Sequence, residues 1–288
     1  MQIWFNGICN GILIALLATA FSIVYTSTGV FYIALAGIYV FSAYAAMQML
    51  EWGMHWSVVC VGTLACGAFL SVLFDCLNHR VLQMKNASKG AHLISSLGLY
   101  MILVELAALI WGNDPQSLKL ISNGVFVICG ITVTFSQAVI LIIGMVAITG
   151  LLFWINYSGL GLKLRALSNN PQQLALLGSN TLNVRISAFG LAGALAAAVG
   201  ILNGYDLGFD THIGMPALML AVIASIIGGR NSLAGPVVGG IILGLVRSQV
   251  TWYMSAEWQD MVTFVILAFF LFCRPGGIFG SRERLEVQ

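Results

Sequence analysis

The stretch at residues 8–25, ICNGILIALLATAFSIVY, runs for 18 residues without a charged side chain and is rich in Ile, Leu and Ala. A helix needs about 20 mainly apolar residues to cross the hydrocarbon core of a bilayer. The stretch therefore predicts a membrane-spanning helix. Because no basic residue precedes it, we expect a retained first span rather than a cleaved signal peptide.

Eight further apolar runs follow this one along the chain. They cover about residues 30–50, 57–77, 93–112, 136–155, 186–204, 216–229, 233–250 and 258–274. The run at 216–229 is shorter than the others and is bounded by Gly-Gly and Gly-Pro pairs, so it is either a short crossing or a broken, re-entrant helix. The runs predict an all-α polytopic transmembrane bundle with eight or nine spans, organised as a single domain over residues 1–288.

The composition supports a membrane protein and argues against several other classes. Hydrophobic residues make up 59% of the chain and charged residues 8%, with a mean hydropathy of +0.96. Soluble domains carry about 25% charged residues, so this surface must face lipid. The net charge is only +2 and no dense basic run is present, which argues against nucleic-acid binding. No catalytic motif or metal-ligand spacing is found, so we expect neither enzyme activity nor a bound metal.

Cations in short connecting segments predict the orientation, because such segments stay in the cytoplasm. The cations in question are Arg80, Lys85, Lys89, Lys163, Arg165, Arg185, Arg274, Arg282 and Arg284. The C-terminus is therefore expected in the cytoplasm. Nine spans would place the N-terminus outside, and a re-entrant seventh run would place it inside.

Glu105 and Arg247 are ionisable residues within apolar runs. Such a group costs about 2.5–3.5 kcal/mol at the centre of a spanning helix, so it needs a partner or a wet cavity. A buried ion pair between these two residues is one hypothesis, and a polar pathway through the membrane is another.

Two of the segments expected outside the membrane have patterns that predict a local structure or a contact. The β-branched stretch at 125–133 predicts a small hairpin or a surface helix. The polar cluster near the short seventh run predicts either a solvated acidic loop or a contact with an external binding protein. This cluster consists of Asn203, Asp206, Asp210 and His212.

The largest cytoplasmic segment reads YSGLGLKLRALSNNPQQLALLGSNTLNVR over residues 157–185. Asn169, Asn170 and Pro171 are typical of a helix start, and Gly178 is typical of a helix stop. The segment thus predicts a short amphipathic helix along the inner face. Such a helix is either an interfacial element held by its leucines or a docking element for a cytosolic partner.

The pattern of small and basic residues in this segment resembles the coupling loop of ATP-binding cassette (ABC) importer permeases. It consists of Gly161, Arg165, Ala166, Ala175 and Gly178. In particular, the chain is similar to the branched-chain amino acid permease family. Four further stretches resemble family segments in the same order: LISSLGLYMILVELAALIWG at 93–112, FGLAGALAAAVGIL at 189–202, ASIIGGRNSLAGPVVGGIILGL at 224–245 and RPGGIFG at 274–280.

The resemblance implies a multi-pass location in a bacterial inner membrane and a set of partner subunits with separate roles. A periplasmic binding protein would deliver the solute, and a second permease subunit, homologous or identical, would complete the membrane unit. Two cytosolic ATPase subunits would bind and hydrolyse ATP, so this chain would itself bind no cofactor. The loop at about 157–185 would insert into the ATPase, with Arg165 and Ala166 in the contact.

The solute and its path are predicted less sharply. The expected cavity is mostly apolar, with Ser95, Ser96, Gly98 and Glu105 as candidate pathway residues, although the serines can equally satisfy local carbonyls. The chain reads IALAG at 33–37, where such permeases commonly have an N-F-A-H-G-like stretch. The resemblance implies branched-chain or similar amino acids as the solutes, and the departure at 33–37 leaves urea or short amides as the alternative. A sugar is disfavoured, because the spans are poor in Asn, Gln and Asp.

An autonomous secondary transporter or channel is the alternative from another class. Such proteins carry conspicuous mid-membrane ions or paired broken helices, whereas only one broken segment is evident here.

Glycines at four-residue spacing predict close helix packing, either within the chain or against a second permease subunit. The clearest examples are Gly235, Gly239, Gly240 and Gly244.

Overall fold

The first helix, α1 (Gln2–Thr28), lies at the centre of a helical bundle in the computed structural model of the chain. Between Gly11 and Val24 every residue except Ile14 is buried. A helix that is apolar on all sides suits this central position, because it has no polar face to turn toward water.

The other helices pack around α1. They are α2 (Ala34–Glu51), α3 (Trp56–Phe74), α4 (Arg80–Met84), α5 (Lys89–Trp111), α6 (Phe135–Tyr157), α7 (Gly159–Asn169), α8 (Thr181–Asp206), α9 (Gly214–Gly228), α10 (Gly235–Tyr253) and α11 (Trp258–Cys273). A π-helical turn, Asp75–His79, joins α3 to α4. The structure describes residues 1–118, 124–128, 130–169, 174, 180–229, 232, 234–274 and 276–279.

Each of the nine predicted apolar runs lies on a helix, which confirms an all-α membrane fold. Within the described ranges, five helices are long and apolar enough to cross a membrane: α1, α3 continued through α4, α5, α6 and α8. Helices α9 and α11 are apolar but shorter. The predicted total of eight or nine crossings is therefore not confirmed by helix length and composition.

Glycines bring α10 into backbone contact with α1. A Cβ atom added to Gly240 would lie 2.5 Å from Cα of Ala15, and one added to Gly244 would collide with the backbone of Gly11. Real Cβ atoms do not approach this closely, so only glycine permits the contact.

The other pair of predicted packing glycines faces α9. Gly239 lies against the carbonyl of Ala224, and Gly235 lies against Gly228. The structure thus places all four glycines at contacts within the chain. They join α10 to α1 on one side and to α9 on the other.

The segment at 125–133 forms a hairpin, one of the two predicted alternatives. Strand β1 (Val125–Ile128) pairs antiparallel with β2 (Ile131–Thr134). The side chain of Gln2 accepts a hydrogen bond from the backbone N–H of Thr132 at 2.8 Å, which ties the start of α1 to the hairpin. We call this end of the bundle the hairpin end.

Helix α7 marks the opposite end. The chain reaches it from the C-terminus of α6, and the C-terminal part of α1 packs against it through Ile23. We call this the α7 end of the bundle.

Candidate functional site

Helix α7 is seated where α1, α6 and α8 come together. Ser158 begins it, because the Ser158 hydroxyl accepts a hydrogen bond from the N–H of Gly161 at 2.9 Å. Its apolar side packs into a separate hydrophobic cluster of buried residues: Ile23, Ile155, Leu164, Leu167, Leu174, Val184 and Ala188. The opposite side exposes Leu162 and Lys163. The helix is therefore amphipathic, with one side held by the bundle and one side free.

The short helix predicted after Pro171 falls almost entirely outside the described residues, and the structure describes another helix before it. The described helix ends at Asn169, whereas the predicted helix begins near Pro171. The predicted residues, including Ala175 and Gly178, lie outside the described residues apart from Leu174, which is buried. The amphipathic signal of Gly159–Asn169 was missed because two glycines at its start resemble a turn.

Arg165 ties α7 back onto the end of α6. Its guanidinium donates hydrogen bonds to the carbonyl oxygens of Ile155, at 3.2 Å, and Asn156, at 3.1 Å. A cation at these carbonyls also complements the negative end of the α6 dipole. Arg165 is thus partly committed to holding α7 in place, and its predicted contact with an ATPase stays a prediction.

Packing within the chain also explains the small side chains at Gly161 and Ala166. A Cβ atom on Gly161 would collide with the backbone of Ile155, so α7 can fold against α6 only with glycine at this position. Ala166 packs against the edge of the buried cluster. Three residues of the pattern that resembles a coupling loop, Gly161, Arg165 and Ala166, thus hold α7 against the bundle.

A buried ion pair lies at the α7 end, next to this helix. Arg185, near the start of α8, contacts both carboxylate oxygens of Asp75, with its Nη2 atom 2.6 Å from Oδ1 and its Nε atom 3.0 Å from Oδ2. It also donates to the side chain of Gln83, and its guanidinium lies 5.6 Å from the ring centre of Phe189. Asp75 is 1% exposed and Arg185 is 8% exposed. The ion pair connects the start of α8 to the π-helical turn.

Sequence reasoning used Arg185 only as a marker of orientation and missed Asp75. The available signal was that Asp75 is the single acidic residue in the run at 57–77. A lone carboxylate in an apolar run requires a partner. Its partner could not be identified, because it lies 110 residues away in the sequence.

Two histidines and a tyrosine pack beside this ion pair. Nδ1 of His79 lies 3.4 Å from Nδ1 of His92, so one ring can donate to the other. Tyr32 is fully buried; its hydroxyl is within 3.2 Å of Ser71 and its ring contacts His79. The polar groups of four segments thus converge on the π-helical turn.

The two candidate serines of α5 are engaged within the chain. Ser95 donates a hydrogen bond to the side-chain oxygen of Asn78 at 2.6 Å, and Ser96 accepts one from the backbone N–H of Ala34 at 2.9 Å. Both interactions connect α5 to neighbouring segments. Neither partner is a local backbone carbonyl, because the partners lie 17 and 62 residues away in the sequence.

Gly98 and Glu105 lie on a different, open side of α5. Nothing occupies the space beside Gly98, and Glu105 is exposed. Glu105 has no hydrogen bond or ion pair with the described part of the chain. The predicted ion pair with Arg247 is wrong: Arg247 turns toward α11, where its guanidinium lies 2.8 Å from the carboxylate of Asp260.

The polar cluster at the hairpin end is held by local contacts. Asp210 accepts hydrogen bonds from the N–H groups of His212 and Ile213 at 2.8 and 2.9 Å and so stabilises the turn before α9. Asp206 accepts one from the hydroxyl of Ser136 at 2.5 Å. The acidic residues therefore have structural partners, while a role in docking a binding protein stays untested.

Comparison with known proteins identifies the family. Residues 3–271 match the family described as branched-chain amino acid transport system / permease component. The chain belongs to this family. The high-affinity branched-chain amino acid transport system permease protein LivH of Escherichia coli K12 is 30% identical, covering 100% of this chain and 97% of LivH. BraD, the corresponding permease protein of Pseudomonas aeruginosa, is 26% identical, covering 98% of this chain and 96% of BraD.

A solved structure shares the fold of this permease. A chain of PsaBC from Streptococcus pneumoniae, solved in complex with Fab, superposes with a TM-score of 0.56 at 10% identity, covering 97% of this chain and 94% of that one. Family membership and the apolar helices make the chain a multi-pass inner-membrane transport subunit. The predicted recognition is confirmed.

Proposed function

We propose that the chain is the membrane-spanning subunit of an ABC importer for branched-chain or closely similar amino acids. The observation that carries the proposal is the seat of α7: its apolar side is fixed by α1, α6 and α8, while Leu162 and Lys163 are free to meet another protein. In this account the α7 end faces the cytoplasm and the hairpin end faces outward.

The partners follow from this arrangement. Two cytosolic ATPase subunits bind and hydrolyse ATP, and α7 transmits their motion to the bundle. Because α7 packs against three long helices at once, a push on its exposed side is passed to all of them. A periplasmic binding protein delivers the solute at the hairpin end, and no cofactor is bound by this chain.

The open side of α5 is the proposed contact with a second permease subunit. Glu105 is exposed on this side within an apolar helix. A carboxylate facing lipid is costly, and a protein surface or a wet path would remove that cost. Gly98 leaves room for a close approach on the same helix.

The experiment is a co-purification of the chain with its candidate ATPase subunits, followed by solute-stimulated ATP hydrolysis in proteoliposomes. Arg165→Glu should release α7 from the carbonyls of α6 and lose ATPase association at normal membrane levels. Lys85→Glu is the matched control, since Lys85 is an exposed cation in the turn before α5.

Uptake of leucine that requires ATPase and binding protein, and that is lost in Arg165→Glu alone, supports the proposal. Uptake by the chain without an ATPase would contradict the importer and identify the chain as an autonomous transporter. Stimulation by urea or acetamide but not by leucine would retain the importer and replace the solute.

A further inference from the structure

A cavity of about 470 Å³ lies inside the bundle and reaches the hairpin end. Helices α1, α8, α9 and α10 form most of its wall, with one residue each from α2 and α11. Its volume falls within the range of about 300–1,000 Å³ that is typical of small-molecule sites. None of the predicted pathway residues on α5 lines it.

The cavity wall on α1 is a stripe of residues at helical spacing. Asn6 and Asn10 form the part nearer the hairpin end, and Leu13 and Leu17 form the deeper part. The cavity thus changes from polar to apolar with depth. This gradient matches a ligand that has a polar head and an apolar tail.

Asn10 is the most informative residue in this stripe. It lies roughly two and a half turns into α1, its side chain is exposed to the cavity, and it has no hydrogen bond with the described part of the chain. An amide in the membrane interior is costly unless water or a ligand bonds to it. Its amide N–H and C=O groups are therefore free for a ligand in the cavity.

Further polar groups surround Asn10. The Oδ1 atom of Asn6 accepts from the side chain of Gln2 at 3.2 Å, which leaves the NH₂ group of Asn6 available. Asn203 of α8 lies across the cavity, beside the hydroxyl of Tyr39. Three asparagine amides from two helices thus face one space, although the sequence suggested spans poor in such groups.

One cation, Arg247, lines the cavity, and its counter-ion Asp260 is not a lining residue. Arg247 lines the wall, and its guanidinium contacts the carboxylate of Asp260 and the side-chain oxygen of Gln259, both at 2.8 Å. Asp260 is 75% exposed, so its carboxylate reaches solution. A guanidinium on the wall, with an exposed counter-ion bonded to it, complements the carboxylate of a zwitterionic ligand.

The deep part of the cavity is closed by aliphatic side chains. Leu17 and Val199 are buried, and Leu220 of α9 lies opposite them. A branched alkyl group placed here would be removed from water, which favours binding in proportion to its apolar area.

We propose that this cavity binds an α-amino acid with a branched aliphatic side chain inside a single subunit. The carboxylate and ammonium groups lie among the asparagine amides and Arg247, and the alkyl group lies against Leu17 and Val199. The inference rests on the proposed function for the class of solute, and it assigns a site apart from the α5 side.

The test is equilibrium binding of radiolabelled leucine to the purified full chain in lipid nanodiscs. Asn10→Trp fills the cavity and should weaken leucine binding by about tenfold or more, since it removes the amide and the space together. Ile8→Trp is the control: Ile8 is an exposed residue of α1 that does not line the cavity. Asn10→Ala removes the amide without adding bulk and should also weaken binding while the chain stays folded.

Unchanged leucine binding in both Asn10 variants overturns the inference. If ATPase-dependent leucine uptake also persists in those variants, the proposed function stands and only the site is wrong. If the wild-type chain binds no leucine, and Asn10→Trp instead lowers the amount of co-purified phospholipid, the occupant is a lipid and the inference fails. A wild-type complex that takes up no amino acid overturns the proposed function separately.

Discussion

At the scale of single residues, the pair formed by Asp75 and Arg185 shows how this bundle tolerates charge. Of the two ion pairs among the described residues, this one is buried and the other, Arg247 with Asp260, is partly exposed. Burying a charge is costly, and the cost is offset only where the partner and its hydrogen bonds are in place. Asp75 meets this condition through two contacts with one guanidinium.

Replacing Asp75 with Asn should destabilise the chain by about 3–5 kcal/mol, because Arg185 would be left as a buried charge without its counter-ion. Thermal unfolding of the purified protein measures the change. Asp260→Asn is the matched control, because that carboxylate is 75% exposed and should contribute only about 0–1 kcal/mol.

A double variant separates charge from shape. Asp75→Leu with Arg185→Leu removes both charges and should be more stable than Asp75→Asn alone. Equal losses of stability for Asp75→Asn and Asp260→Asn would show that the buried pair stabilises the fold no more than the exposed pair does.

At the scale of elements, the glycine contact between α1 and α10 makes the packing of the central helix sensitive to a single methyl group. The close approach of Gly240 to Ala15 brings two backbones together. Such contacts replace the hydrophobic effect as the reason why helices associate in lipid.

Gly240→Ala should destabilise the fold by about 1–3 kcal/mol, as overpacking typically does. Gly150→Ala is the control: Gly150 lies in α6 with nothing near its missing side chain, so alanine there should be neutral or stabilising by about 0.5–1 kcal/mol through better helix propensity. Fluorescence-detected size-exclusion chromatography after stepwise heating compares the two. A Gly240→Ala variant as stable as Gly150→Ala would contradict the backbone contact.

The elements also show what could be predicted from sequence. The nine apolar runs could be predicted because the length of an apolar run is a local property of the sequence. The hairpin at 125–133 could be named as one of two alternatives because its β-branched residues are also local. Helix α7 was not predicted, because the glycines at its start resemble a turn. Its packing against Ile23 of α1 depends on the fold. The π-helical turn and the Asp75–Arg185 pair likewise depend on long-range contacts, and the placement of Asn10 and Asn203 around one cavity required the fold itself.

At the scale of the whole molecule, the two ends differ in what they present. The hairpin end combines β1 and β2, the start of α1 and the cavity mouth, whereas the α7 end combines α7 with the buried ion pair. The proposed function assigns the first end to the outside and the second to the cytoplasm.

Cysteine labelling tests this orientation. In a variant without the native cysteines, Val127→Cys in β1 should react with a membrane-impermeant maleimide in spheroplasts, and Lys163→Cys in α7 should react only after lysis. Both positions are exposed, so access to the side chain is equal and only the membrane differs. The reverse pattern would invert the bundle and remove α7 from any cytosolic ATPase.

The buried pair has a further consequence for biosynthesis. Asp75 leaves the ribosome 110 residues before Arg185. At about 5–20 residues per second, translation takes roughly 5–20 s to cover that interval. The nascent chain must therefore keep this carboxylate in an aqueous or protein-lined environment, such as the insertion channel or its own earlier helices, until α8 is made. Slowing translation between α6 and α8 would prolong that interval, and the yield of correctly inserted protein would then depend on elongation rate.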